Sequence, residues 1–262
     1  MKSDENKNFP KIIENSGLAL HKTRNLLSIT DKILASKTLA VSDDAWLDEL
    51  IAWADESDIS EEQFPRDKQA ILALTTLSLS WNQLTEIPRS IGKLTNLTGL
   101  NLSGNRLTKL PESIGELTNL DWLSLRKNYQ LSELPESIEK LVNLTEFDFA
   151  NNKLKKVPQS IGKLFHLISL DFSDNEISEL PEFIGHLKNL TWFSLWGNKL
   201  VKLPESIGNL TNLHELHLGS NRLSALPNSM SNLTNLENLN LTQNPIKLLP
   251  PELSHLNSIT KF

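Results

Sequence analysis

Several groups of reactive side chains invite a catalytic reading of the 262-residue chain. His214, Glu215, Leu216 and His217 resemble the zinc-binding phrase HExxH, in which a helix brings two histidines four residues apart onto one face beside a glutamate base. Here the histidines are one residue too close. The segment also reads as strand, where Glu215 and His217 share a face and His214 points to the other. Gly99 and Gly104 have the spacing of a phosphate-binding loop, yet Asn105 and Arg106 follow where Lys and Ser/Thr would be needed. Glu146 and Asp148 are paired carboxylates of the kind used in acid–base catalysis, but an open surface would exclude little water from them. With no cysteine in the chain, thiolate ligands and cysteine nucleophiles are excluded together. The sequence therefore predicts no enzyme, no metal site and no cofactor.

Composition narrows the classes further. Hydrophobic residues make up 39% and charged residues 22% of the chain, with a net charge of −6. Residues 1–70 carry 9 Lys/Arg against 14 Asp/Glu, and no basic block occurs anywhere. Electrostatic binding to phosphate backbones has little to work with, so nucleic acid is excluded as a partner. No apolar run approaches the ~18 residues of a membrane span, and residues 1–10 show no hydrophobic secretory segment. A cytoplasmic protein of a reducing compartment is expected. Seven N-x-S/T triplets, including Asn96, Asn143 and Asn189, arise from a recurring N-L-T or N-L-S phrase and read as by-products of repetition.

That repetition decides the fold class. Asparagines recur at 82, 105, 128, 152, 175, 198, 221 and 244, at steps of 23 residues with a single step of 24. Prolines follow in phase, from Pro88 to Pro250. One unit, from Leu97, reads LTGLNLSGNRLTKLPESIGELTN. Leu100 and Leu102 alternate with polar or small residues, as a short half-buried strand requires. Leu107, Leu110, Ile114, Leu117 and Leu120 recur every three or four residues, as in a helical or 3-10 return path, whose regularity Pro111 limits. The asparagine carries both donor and acceptor and can satisfy backbone groups in the turn between them. One unit cannot bury its own leucines, whereas stacked units share a continuous core. The prediction is an α/β solenoid, with parallel strands on the concave face and irregular or 3-10 turns on the convex face.

The first eleven residues of the unit fit L-x-x-L-x-L-x-x-N-x-L. In this pattern the chain resembles intracellular leucine-rich repeat proteins of the 23-residue LPxxIGxLxxL subtype. It is similar to repeats of animal Ras-binding scaffolds, of plant intracellular Ras-group proteins and of bacterial cytosolic or host-injected proteins. The additional C-terminal motif of the plant group is missing. The resemblance implies a protein-binding module without naming a partner. A bacterial effector delivered into host cells is the first alternative, and recognition of a glycan or small cationic ligand the second.

Two regions follow: residues 1–70 as a disordered leader plus helical N-terminal cap, and residues 71–262 as eight repeats and the start of a ninth. Residues 1–9 read as the leader, of a kind that would suit a translocation signal. A helix is expected over 18–37. Ser42 is placed to cap another containing Trp46, Leu47, Leu50, Ile51 and Ala54, with Trp46 and Trp53 in the core. Ser60 and Gln63 resemble a capping box. From Asp43 to Glu62 there are nine acidic residues and no basic ones, a solvated surface or a docking patch for a basic partner. At the far end, residues 259–262 are expected in register with Leu236. Their uncovered strand leaves open a monomer, an edge-mediated dimer or a longer natural chain.

Residues between the strand leucines are free of core duties, so recognition is expected there. Trp122, Glu146, Trp192 and Glu215 share one outward column, Asp148, Asp171 and His217 the next, and Arg126 and Trp196 a third. Exposed indoles are typical binding anchors, and like charges on adjacent strands are mildly destabilising. The expectation is an acidic floor of Glu146, Asp148 and Asp171 flanked by Trp122, Trp192 and Trp196. It would take a protein or peptide with basic segments through ion pairing and cation–π contact. Trp81 reads as structural, and the extra residue at Tyr129–Gln130 as a bulge in the rim.

Overall fold

The computed structural model describes residues 44–262, of which Trp46–Phe262 form one compact unit. The leader, the helix expected over 18–37 and the Ser42 cap lie outside the described residues.

Every unit contributes a three-residue strand: β1 Thr76–Ser78, β2 Gly99–Asn101, β3 Trp122–Ser124, β4 Glu146–Asp148, β5 Ser169–Asp171, β6 Trp192–Ser194, β7 Glu215–His217 and β8 Asn238–Asn240, followed by a two-residue β9, Thr260–Lys261. The strands hydrogen-bond in sequence order and all run parallel. From β1 to β8 equivalent positions pair directly, as in Leu77↔Leu100 and Phe147↔Leu170. The middle residue of each points into the core, while its neighbours stand on the concave face. Phe147, Phe149, Phe172 and Phe193 replace leucines and are buried; the first three meet edge to face.

The convex side consists of 3-10 turns of five residues, such as Arg89–Lys93 and Glu112–Glu116, each preceded by the phased proline in extended geometry. The glycine of the LPxxIG phrase has a packing reason. At Gly92, Gly115 and Gly208 a Cβ would collide with the serine carbonyl of the next repeat. Thin turns here and ~4.8 Å strand spacing on the other side set the curvature of the array.

The phased asparagines join the two sides. The residue before each adopts a left-handed backbone, among them Trp81, Gly104, Lys127, Asp174 and Gly197, which turns the chain off the strand. The asparagine then serves backbone groups of two repeats. Asn175 donates to the Phe149 and Phe172 carbonyls at 2.9 and 3.1 Å and accepts from the Leu154 N–H at 2.9 Å. The same pattern recurs at Asn105, Asn198, Asn221 and Asn244. At the Tyr129–Gln130 insertion the ladder adjusts. Leu131 N–H turns to the Asn128 carbonyl, and Asn152 accepts from Asn128 N–H instead. A second, exposed ladder runs along the turns: Asn96, Asn143 and Asn189 each donate to a carbonyl of the preceding turn. Three of the N-x-S/T asparagines are thus committed to structure.

The N-terminal cover is helix α1, Ala45–Glu56, with Leu47, Leu50 and Ala54 buried. Trp46 and Trp53 were expected in the core. They are half-buried instead and pack against it from its margin. Trp53 meets Phe64 edge to face at 6.4 Å. Ser60 Oγ accepts from Gln63 N–H at 3.4 Å. Arg66 pins the following loop, pairing with Asp55 at 2.7 Å and donating to the carbonyls of Ile59 and Phe64. A short helix α2, Lys68–Leu72, capped by Asp67, leads into β1; the sequence reading had not foreseen it.

At the other end the expected register fails. Thr260 pairs with Leu239 and Lys261 with Asn240, two residues ahead of the 23-residue step. Pro250 and Pro251 open a nine-residue 3-10 helix, Pro251–Ile259, which replaces the usual short turn and loop. A shift of two keeps the same faces inward.

Replacing Asn175 with Ala strands two buried carbonyls and one N–H. Urea unfolding should show a loss of roughly 2–4 kcal/mol, whereas Asn189→Ala on the exposed ladder should cost less than about 1 kcal/mol.

Candidate binding site on the concave face

The outward columns of β3 to β6 enclose a shallow cleft of about 480 Å³, lined by Trp122, Glu146, Asp148, Ser169, Asp171 and Trp192 together with Ser124. The structure thus brings together two of the three expected tryptophans and all three carboxylates. Trp122 and Trp192 are half-buried at the two ends, Glu146 is exposed, and Asp148 and Asp171 are half-buried on the floor. The remaining predicted residues lie around it. Trp196 stands one column further on, 38% exposed. Glu215 and His217 bond each other at 3.0 Å, and the His217 ring leans on Trp192 from the β7 side at 5.5 Å. His214 faces away, on the Asn212 carbonyl. Among the described residues no cluster of three metal-ligating side chains forms.

One expectation needs correction. The floor is not purely acidic, because Arg126 reaches back over it, 3.6 Å from Asp171 and 4.0 Å from Asp148. A residue in the third column has a side chain long enough to cover the second. A further carboxylate, Asp174, adds to the acidic side on the left-handed turn just beyond. Its column position made it visible in the sequence, but its proximity to Asp171 was not.

The indoles owe their placement to glycines one repeat away. Trp122 lies over Gly99, Trp196 over Gly219 and Trp81 over Gly104; a Cβ at any of the three would strike the ring. Trp81 is nevertheless 66% exposed, with Lys127 over it at 5.4 Å. Pairing each tryptophan with a glycine in a neighbouring unit was a legible signal that column reading missed. Trp192 has no such glycine and rests on His217.

Asp148 and Asp171 also do local work. Each Oδ1 accepts the N–H two residues on, from Ala150 at 3.0 Å and Ser173 at 2.8 Å. At the same position in other repeats, Asn101 and Asn240 make the identical bond to Ser103 and Thr242, both at 3.0 Å. A neutral carboxamide therefore suffices for the turn, and the two negative charges are surplus to it. At Asp148 the charge is also costly. Burial pushes the Asp148 carboxyl above its ordinary value against the Ala150 N–H; Asp171 adds to the rise, and Arg126 and Ser124 oppose it. Burial, then Asp171, raises Asp174 as well.

A run of columns repeating every 23 residues, with a buried asparagine ladder, matches what comparison finds: the family described as Leucine-rich repeat region matches residues 61–155 and 158–262. The chain belongs to the leucine-rich repeat family. No curated protein matches it. Among solved structures it is similar to a leucine-rich repeat protein of Leptospira interrogans, with 38% identity over 73% of this chain and 49% of that one and a TM-score of 0.68. It is also similar to the plant peptide hormone receptor RGFR1 in complex with RGF2 (37% identity, 71% of this chain, 31% of that one, TM-score 0.63). An internalin of Listeria monocytogenes, at 23% identity and TM-score 0.56 over 75% of this chain and 64% of that one, shares the fold alone. The chain spans about half the length of the Leptospira protein and about a third of the receptor. Leucine-rich repeat proteins generally mediate protein–protein interaction, and their fold is typically a non-catalytic scaffold. No helix of the described residues is long and apolar enough to cross a membrane.

The raised Asp148 value has a definite sign. The folded state holds its proton more tightly than the unfolded chain, so this group's contribution to stability falls as pH rises from the ordinary carboxylate value through the raised one. Asp148→Asn keeps the Ala150 bond and removes that cost. Its melting temperature should exceed that of the parent at pH 7, with the gain fading as pH falls through the raised value and gone below about 4; thermal melts across pH check this.

Proposed function

We propose that this repeat array is a non-catalytic module that holds a protein or peptide partner on its concave face, with a basic side chain of the partner seated between Trp122 and Trp192 over Asp148 and Asp171. The observation that carries the reading is the surplus charge. Asn101 and Asn240 complete the turn without charge, so the turn needs neither aspartate charge, and the single guanidinium of Arg126 faces two half-buried aspartates on adjacent strands. An incoming Lys or Arg would neutralise them, and the flanking indoles offer it cation–π contact, worth about 0.5–2 kcal/mol according to desolvation. Arg126 demonstrates from within the chain that a guanidinium fits beside this pair. The 23-residue LPxxIG period supports placing the chain in the intracellular subtype, and the lack of cysteine supports a cytoplasmic setting.

Calorimetric titration with a tetra-arginine peptide tests the reading. Asp148→Asn combined with Asp171→Asn should weaken binding about tenfold or more, and Trp192→Ala about fivefold, with circular dichroism unchanged. Equal affinity in the parent and all variants would overturn the site.

A further inference from the structure

We propose that Arg126 stands in for the partner: in the free protein its guanidinium faces the two oxygens of Asp148 and Asp171 that a basic side chain of the partner needs, and binding displaces it. The inference rests on the cleft reading above and adds to it how that site is regulated.

Each aspartate has one oxygen to offer. Oδ1 of Asp148 accepts from Ala150 N–H and Oδ1 of Asp171 from Ser173 N–H, so both are committed to the turns. Oδ2 remains in each case. Arg126 Nη1 faces both of these atoms, 4.0 Å from Asp148 and 3.6 Å from Asp171. Ser124 also donates to Asp148 Oδ2, at 3.4 Å, but brings no charge. A cation arriving over the floor must pair with the same Oδ2 atoms, and two positive groups within ~4 Å of one another repel. Arg126 and the partner's basic group therefore exclude each other.

The hold on Arg126 is loose enough to release. Both separations exceed a hydrogen bond, and its side chain is 42% exposed, a setting in which an ion pair is weak. Burial, with Asp171 behind it, keeps the Asp148 and Asp174 carboxyls above their ordinary value although Arg126 opposes both shifts. A guanidinium seated at about 2.8 Å would make the charge-assisted hydrogen bonds that Arg126 does not. Arg126 reaches in from the third column, outside the residues that line the cleft, so the space between Trp122 and Trp192 stays open to the newcomer.

The fold does not ask for arginine here. Ser80, Ser103, Ala150, Ser173 and Gly219 hold the same position in other repeats. A small residue completes the repeat, so the long cation at 126 answers to the aspartates rather than to packing.

The test is calorimetric titration of the full chain with a tetra-arginine peptide. Arg126→Ser, the residue of neighbouring repeats, should tighten binding about fivefold, as expected if Arg126 covers the floor about four-fifths of the time. Lys127→Ser removes the same charge one residue on, at a left-handed position that Ser220 also occupies, and should change affinity less than about twofold. In the Asp148→Asn, Asp171→Asn background, Arg126→Ser should have no effect. In a nitrogen-15 spectrum of the parent, saturating peptide should move the Arg126 Nε–H signal to its position in that double variant. If the peptide binds but Arg126→Ser fails to tighten it, or Lys127→Ser tightens it equally, or the Nε–H signal stays in place, Arg126 is no stand-in and the cleft reading stands. If neither the parent nor Arg126→Ser binds the peptide, the cleft reading falls and this inference with it.

Discussion

The buried asparagine ladder is the constraint from which the rest of the molecule follows. Three residues beyond each three-residue strand a left-handed residue turns the chain, which leaves the sheet with backbone groups that water cannot reach. One carboxamide per repeat satisfies carbonyls on its own repeat and the one before, and an N–H on the latter. That arrangement works only when successive units stand in the same register. The ladder therefore fixes the 23-residue step, and the step fixes which side chains share a column. Where one residue is inserted, at Tyr129–Gln130, the bonds re-route locally through Asn128 and the register beyond recovers.

Once the ladder and the leucine core hold the units together, the concave columns are free to vary, and departures from a minimal sequence become informative. The position one beyond the strand centre needs only an acceptor for the local N–H, which Asn101 and Asn240 supply without charge. Aspartate at 148 and 171 adds negative charge, and at Asp148 burial penalises it. Glycine at 99, 104 and 219 vacates space that indoles from neighbouring repeats fill. Of these features, Asp148, Asp171 and Trp122 meet in the cleft formed by β3 to β6.

Most of this framework was legible from spacing alone. The phase of Asn82 to Asn244 placed the strands, their parallel order and their outward columns, and the phenylalanines that replace leucine fell in the core as their columns required. What escaped was set by side-chain reach or by local chain length. A column states that Arg126 neighbours the floor, yet only the extended guanidinium shows that it crosses over Asp148 and Asp171. The support of Trp122 by Gly99 links two units and is invisible within one. Pro250 and Pro251 lengthen the last 3-10 segment and advance β9 by two residues, an effect of proline geometry that a fixed period cannot register. Helix α2 is five residues long, too short for any periodic signal.

The six tryptophans allow the account to be tested in one experiment, because each indole N–H gives its own resonance in a nitrogen-15 correlation spectrum. On addition of a tetra-arginine peptide, the account predicts that the Trp122 and Trp192 signals move first and furthest while those of Trp46 and Trp53, on the N-terminal helix, stay in place. Shifts confined to Trp46 and Trp53, or no shift at Trp122 and Trp192 at saturating peptide, would contradict it.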